Sequence, residues 1–134
     1  MKELKNERMK QFSFEQLYMS YVEQRPTGQW VIDETLRVIA THNMLYPQEV
    51  ALVMDVNVKE LRAAFHLLTG LTLIDVITQW RYRQARAMIG QGGLTLQQVA
   101  RRCGWRSLRS MDEVFLRLGG ESARHYYRLT RHVP

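Results

Sequence analysis

The chain repeats itself. Phe65-His66-Leu67-Leu68-Thr69-Gly70-Leu71-Thr72 aligns with Phe115-Leu116-Arg117-Leu118-Gly119-Gly120-Glu121-Ser122, fifty residues further on. Upstream, Ala51-x-x-x-Asp55 aligns with Ala100-x-x-x-Gly104, forty-nine residues further on, and Leu61 answers Met111. Self-similarity of this kind constrains a fold more tightly than composition does, because one small unit has to be built twice. Each copy reads as a short helix containing an alanine, a tight turn, and a second helix whose apolar stripe runs to a phenylalanine. Alanine has no side chain to hold crossing helices apart. The residue four positions later must take a left-handed backbone, which glycine adopts freely and aspartate tolerates. An apolar residue ten or eleven after the alanine anchors the second helix to the first. This is the logic of a helix-turn-helix, written in duplicate.

The remaining text is helical as well, and no stretch of period-2 alternation is long enough for a sheet. Phe14, Leu17, Tyr18, Tyr21 and Val22 form one stripe of an N-terminal helix within Phe12 to Arg25, which Pro26-Thr27-Gly28 breaks. Ile32, Leu36, Ile39 and Ala40 mark the next helix. Pro47 suits a first helical position. Asn57-x-x-Glu60, Thr72-x-x-Asp75 and Thr95-x-x-Gln98 have capping-box spacing or close to it, and Ser107 and Ser122 suit further caps. The longest pattern, Leu73-Val76-Ile77-Trp80-Ala85-Met88-Ile89, ends at Gly90-Gln91-Gly92-Gly93. The expected architecture is all-α. An N-terminal helical arm (1–30) precedes a seven-helix domain (31–130) with two helix-turn-helix units joined by a long linking helix, and a tail (131–134) follows.

Composition removes several function classes. With 46% apolar and 24% charged residues the chain has enough material for a core. A single cysteine, Cys103, excludes an internal disulfide framework and a multi-cysteine zinc site, and its place just before the turn glycine points to core packing. His42, His66, His125 and His132 lack metal-site spacing, the Gly90–Gly93 stretch has no P-loop lysine, and no dinucleotide fingerprint or catalytic constellation is present. No cofactor, metal or enzymatic activity is expected. No apolar run approaches the ~18–20 residues of a membrane span, and the chain opens on charged residues rather than a signal peptide, so a cytoplasmic protein is expected. Residues 1–45 carry six basic and six acidic side chains, while residues 46–134 carry thirteen basic, twelve of them arginine, against seven acidic. Arginine's planar fork suits phosphates and base edges.

Three segments carry a family likeness. Trp80-Arg81-Tyr82-x-x-Ala85-x-x-Met88-Ile89, Val99-Ala100-x-x-x-Gly104-Trp105, and the closing Phe115, Gly120, Ser122 and Tyr126 resemble the AraC/XylS family of bacterial transcription regulators. The resemblance covers about residues 32–128 and runs without a gap from Ala51 to Tyr126. It implies seven helices, two helix-turn-helix units and a rigid linking helix, with both recognition helices in successive major grooves on one face of DNA. The chain departs from the family at Ala123, usually proline; at Tyr127, usually arginine; at Met111, commonly phenylalanine; at Leu116, frequently lysine; and at Glu113, commonly arginine. Family members often add a large N-terminal ligand-binding domain. Residues 1–30 have no room for one, so no small-molecule effector is expected.

On the first recognition helix Leu61, Ala64, Phe65 and Leu68 form the inward stripe, and Lys59, Arg62, Ala63 and His66 lie in one line on the opposite face. The resemblance places Lys59, Arg62 and His66 toward DNA, with Arg62 suited to a guanine, Lys59 to phosphate or guanine, and His66 to phosphate. In the second unit Met111, Phe115 and Leu118 are expected to face inward. Arg106, Ser107, Arg109 and Ser110 are the expected DNA contacts there, and Asp112 and Glu113 on the same helix imply a weaker second half-site. The resulting reading is a sequence-specific regulator binding double-stranded DNA, as a monomer or as a weak dimer through the arm. RNA polymerase or another regulator is the candidate protein partner. The alternative is a protein-interaction module on the same fold, its second unit weak or silent on DNA. The aromatic arm is expected to pack on the domain; self-association or partner docking is the other use for it.

Overall fold

The computed structural model describes residues 11–131, and among these there are eight helices and no strand. They are α1 (Phe14–Val22), α2 (Trp30–Thr41), α3 (Pro47–Met54), α4 (Val58–Thr69), α5 (Leu73–Gln91), α6 (Leu96–Arg102), α7 (Leu108–Gly119) and α8 (Ala123–Arg131). The first ten residues of the arm and the expected tail beyond Arg131 lie outside the described residues. No single described helix is long and apolar enough to cross a membrane. The chain forms two compact units, residues 1–77 and 78–134, which divide inside α5.

In the first unit α1 packs on α2, α2 on α3 and α4, and α3 on α4. Ser13 and Gln16 start α1 with a reciprocal capping box. The Pro26-Thr27-Gly28 break is fastened to the first turn of α2 by Asp33. Its Oδ1 accepts from the Thr27 N–H and hydroxyl, both at 2.9 Å, and its Oδ2 from the Gly28 N–H at 3.1 Å. The arm's stripe is graded: Leu17 is fully buried, Phe14 and Tyr18 are half-buried, and Tyr21 and Val22 are exposed. Just before α1, the Phe12 N–H donates to the Thr69 carbonyl at 2.9 Å. Ile32, Leu36, Ile39, Val50, Ala51 and Phe65 have almost no exposed surface.

In the second unit α6 packs on α7 and α8, and α7 on α8. Thr95 and Gln98 form a full capping box. Trp80, Trp105, Val99, Ala100, Met111 and Phe115 are buried. Cys103 belongs to this core: its Sγ lies 3.9 Å from the Met88 sulfur, and burial pushes the thiol up to about 11, so it stays neutral. Leu118, expected inward, is 39% exposed. Phe115 is closed over instead by Tyr82 and Tyr126, with ring centroids at 4.8 and 6.1 Å, and α7 ends one residue after Leu118.

The repeat is visible bond by bond. Asp55 (φ 58°) and Gly104 (φ 93°) both take the positive-φ backbone that ends the first helix of each pair. The next N–H in each copy reaches back five residues, Val56 to the Ala51 carbonyl at 3.0 Å and Trp105 to the Ala100 carbonyl at 2.9 Å. Asn57 then caps α4 through the Glu60 N–H, and Ser107 caps α7 through the Ser110 N–H, each at 3.1 Å. One residue, Val56, separates Asp55 from its cap Asn57, whereas two, Trp105 and Arg106, separate Gly104 from Ser107. The change of offset from forty-nine to fifty is therefore absorbed in the second turn, at the Trp105-Arg106 step.

Asp112 has no such counterpart. Its Oδ1 accepts the N–H of Ala123, the first residue of α8, at 2.9 Å, while Ser122 accepts the His125 N–H at 3.0 Å. Two of the four unpaired N–H groups at the start of α8 are thereby satisfied, and a carboxylate stands at the positive end of the helix dipole. The departure from the family pattern at Ala123 makes this bond possible, because proline at 123 would have no N–H to offer. Asp112→Ala is expected to cost about 1–2 kcal/mol, read from thermal unfolding. Ala123→Pro should also destabilise, although proline ordinarily suits a first helical position. An unchanged midpoint in both variants would show the contact to be idle.

Candidate nucleic-acid interface

The outward face of α4 lies where the line of residues predicts it. Lys59, Arg62, Ala63 and His66 are exposed, opposite buried Leu61 and Phe65, with Ala64 and Leu68 half-buried. These four form one wall of an open groove of about 790 Å³. The other walls are Tyr46, Pro47 and Gln48 at the start of α3, and Thr72, Leu73 and Ile74 at the start of α5. Three cationic or protonatable side chains thus meet in one concavity beside an exposed aromatic, Tyr46, and an amide, Gln48. Concave walls concentrate the field of such charges toward an anionic ligand. The sequence marks Pro47 and Thr72 as helix starts, but their standing against the α4 face follows from the helix crossings and leaves no trace in local periodicity.

Local chemistry fixes the entry to the groove. The Glu49 carboxylate accepts from the Leu45 and Tyr46 N–H groups at 3.3 and 3.2 Å, which secures the loop that delivers Tyr46. Thr72 caps α5 through the Asp75 N–H at 3.3 Å.

The corresponding face of the second unit is differently arranged. Arg106 and Arg109 are exposed, and Ser110 is half-buried. Ser107 is the α7 cap, and its hydroxyl also lies 3.0 Å from that of Ser110, so the two serines are locked to each other. Arg109 lies 3.6 Å from Glu113 one turn on, with both side chains mostly exposed. An exposed i,i+4 pair of this kind is worth only ~0.3–0.5 kcal/mol and gives way to a stronger anion. The Asp112 carboxylate is engaged at the start of α8, where its Oδ1 accepts the Ala123 N–H.

A family model described as a helix-turn-helix domain, of AraC type, matches residues 50–129. The chain belongs to the AraC-type helix-turn-helix family. The match takes in both copies of the repeat, from the residue before Ala51 to Leu129 within α8. AraC-type membership makes the protein a DNA-binding transcription regulator, with double-stranded DNA as its partner. No curated protein and no solved structure gives a match to the chain.

Proposed function

We propose that this AraC-type protein is a sequence-specific regulator that lays α4 and α7 in successive major grooves and recruits or obstructs transcription machinery from there. The observation that carries the reading is the gathering of Lys59, Arg62 and His66 on one wall of the open groove of the first unit. Arg62 takes a guanine edge through two hydrogen bonds, Lys59 a phosphate or guanine, and His66 a phosphate. In the second unit Arg106 and Arg109 are the base or phosphate ligands and Ser110 an adaptable contact, with Ser107 holding Ser110 in place. Glu113 accepts from a cytosine amino group once Arg109 turns to DNA.

Selection from random duplexes of about thirty base pairs, long enough for two elements one helical turn apart, tests this directly. The expected result is a split motif. Arg62→Ala should lose about 1–3 kcal/mol of discrimination at one position of it, a roughly ten- to hundredfold drop on the selected site. Absence of wild-type binding to any duplex at low salt would overturn the reading in favour of a protein-interaction module.

A further inference from the structure

The two compact units carry opposite net charge. Residues 1–77 hold eight basic and ten acidic side chains, a net of −2, whereas residues 78–134 hold eleven arginines, no lysine and three acidic side chains, a net of +8. The chain's net charge of +6 therefore resides entirely in the second unit.

Local pairing sharpens the contrast. All three acids of the second unit are engaged close by: Asp112 by the Ala123 N–H, Glu113 at 3.6 Å from Arg109, and Glu121 at 3.5 Å from His125. Arg101, Arg102, Arg106, Arg117, Arg124 and Arg128 are exposed, and among the described residues none of the six has a carboxylate within ion-pair distance. They occupy α6, the turn, α7 and α8, so they are not confined to one reading face. In the first unit, by contrast, Arg25 lies 4.0 Å from Glu23 and Arg37 is paired with Glu34 at 2.7 Å. The remaining described Lys and Arg side chains of that unit, Lys59 and Arg62, both line the groove.

We infer a division of labour: the second unit supplies most of the sequence-independent hold on DNA phosphates, and the first supplies most of the base readout. This rests on the DNA-binding reading above. Six uncompensated guanidiniums on several elements suit an extended polyanion, whose condensed counterions are released as each phosphate is neutralised. A net-acidic unit gains little from that release and binds only where its groove is filled correctly. The second unit is then the weaker reader and the stronger holder.

The test uses the full chain, the selected duplex and a scrambled duplex, with Kd measured from 50 to 200 mM salt. Arg101→Gln/Arg102→Gln and Arg124→Gln/Arg128→Gln are expected to weaken both duplexes by the same factor. Each should flatten the log–log salt slope by ~0.9 per lost phosphate contact, so two lost contacts remove about twelvefold of the salt sensitivity over that range. Arg62→Gln should lower the ratio between the duplexes much more than it lowers scrambled binding. Glutamine keeps the helix propensity, and a thermal melt checks the fold. If a pair lowers the melt, the single changes Arg117→Gln and Arg128→Gln repeat the measurement on two helices. Wild-type binding with a slope that neither pair changes overturns the anchor while leaving the DNA reading intact. No wild-type binding to either duplex overturns both.

Discussion

Phe115→Ala is expected to cost about 3–5 kcal/mol, a large part of the ~5–15 kcal/mol that holds a typical domain together. The side chain is 1% exposed and joins α7 to two other elements. Tyr82 of α5 meets it edge-on, with ring centroids 4.8 Å apart, and Tyr126 of α8 at 6.1 Å. Truncation loses the transfer energy of the ring, leaves a cavity that two rigid aromatic neighbours fill poorly, and removes pair energies of about 0.5–1.5 kcal/mol each. Phe65, fully buried at the equivalent place of the first copy, should show a loss of the same order. Denaturant titration checks both, the expected signature being a lower midpoint with an unchanged slope. A loss below about 1.5 kcal/mol would mean that the end of the apolar stripe is not what anchors the second helix of each unit.

That anchor was legible from the sequence because it depends on local spacing and on a comparison of the chain with itself. The positions of Ala51 and Ala100, the backbone of Asp55 and Gly104, and the caps Asn57, Thr95, Ser107 and Ser122 all follow from which residue types a turn or a helix start accepts. The outward line Lys59-Arg62-His66 is likewise a consequence of 3.6-residue periodicity. What the sequence withheld depends on how helices cross. Tyr46 and Gln48 stand opposite Arg62 only because α3 begins beside α4. Asp112 looks like a charge on a DNA-facing helix until α8 brings the Ala123 N–H to it. Leu118 keeps the correct phase for the core and still remains exposed, while Tyr82 and Tyr126 close over Phe115. The charge division was obscured for a similar reason. Counted around residue 45 the first part is neutral, and only the structural boundary inside α5 makes it acidic.

Gly119 offers the sharpest test of packing in the second unit. A Cβ built on it would run into the Tyr82 hydroxyl, and the ring carbon bearing that hydroxyl would lie 3.2 Å away. The ring cannot simply swing aside, being held edge-on to Phe115 with the Arg86 guanidinium 5.5 Å from its centroid. Gly119→Ala is therefore expected to destabilise by about 1–3 kcal/mol as an overpacked contact, although alanine in a helix is ordinarily worth roughly 0.5–1 kcal/mol more than glycine. Removing only the obstructing oxygen should restore that ordinary order. In a Tyr82→Phe background the same change ought to fall within about 0.5 kcal/mol of neutral, because alanine's helix gain offsets what remains of the close approach. The coupling, about 1–2 kcal/mol, is read from a four-protein cycle of thermal or denaturant unfolding. Equal costs in the two backgrounds would show that glycine is needed at 119 for a reason other than the tyrosine lying across it.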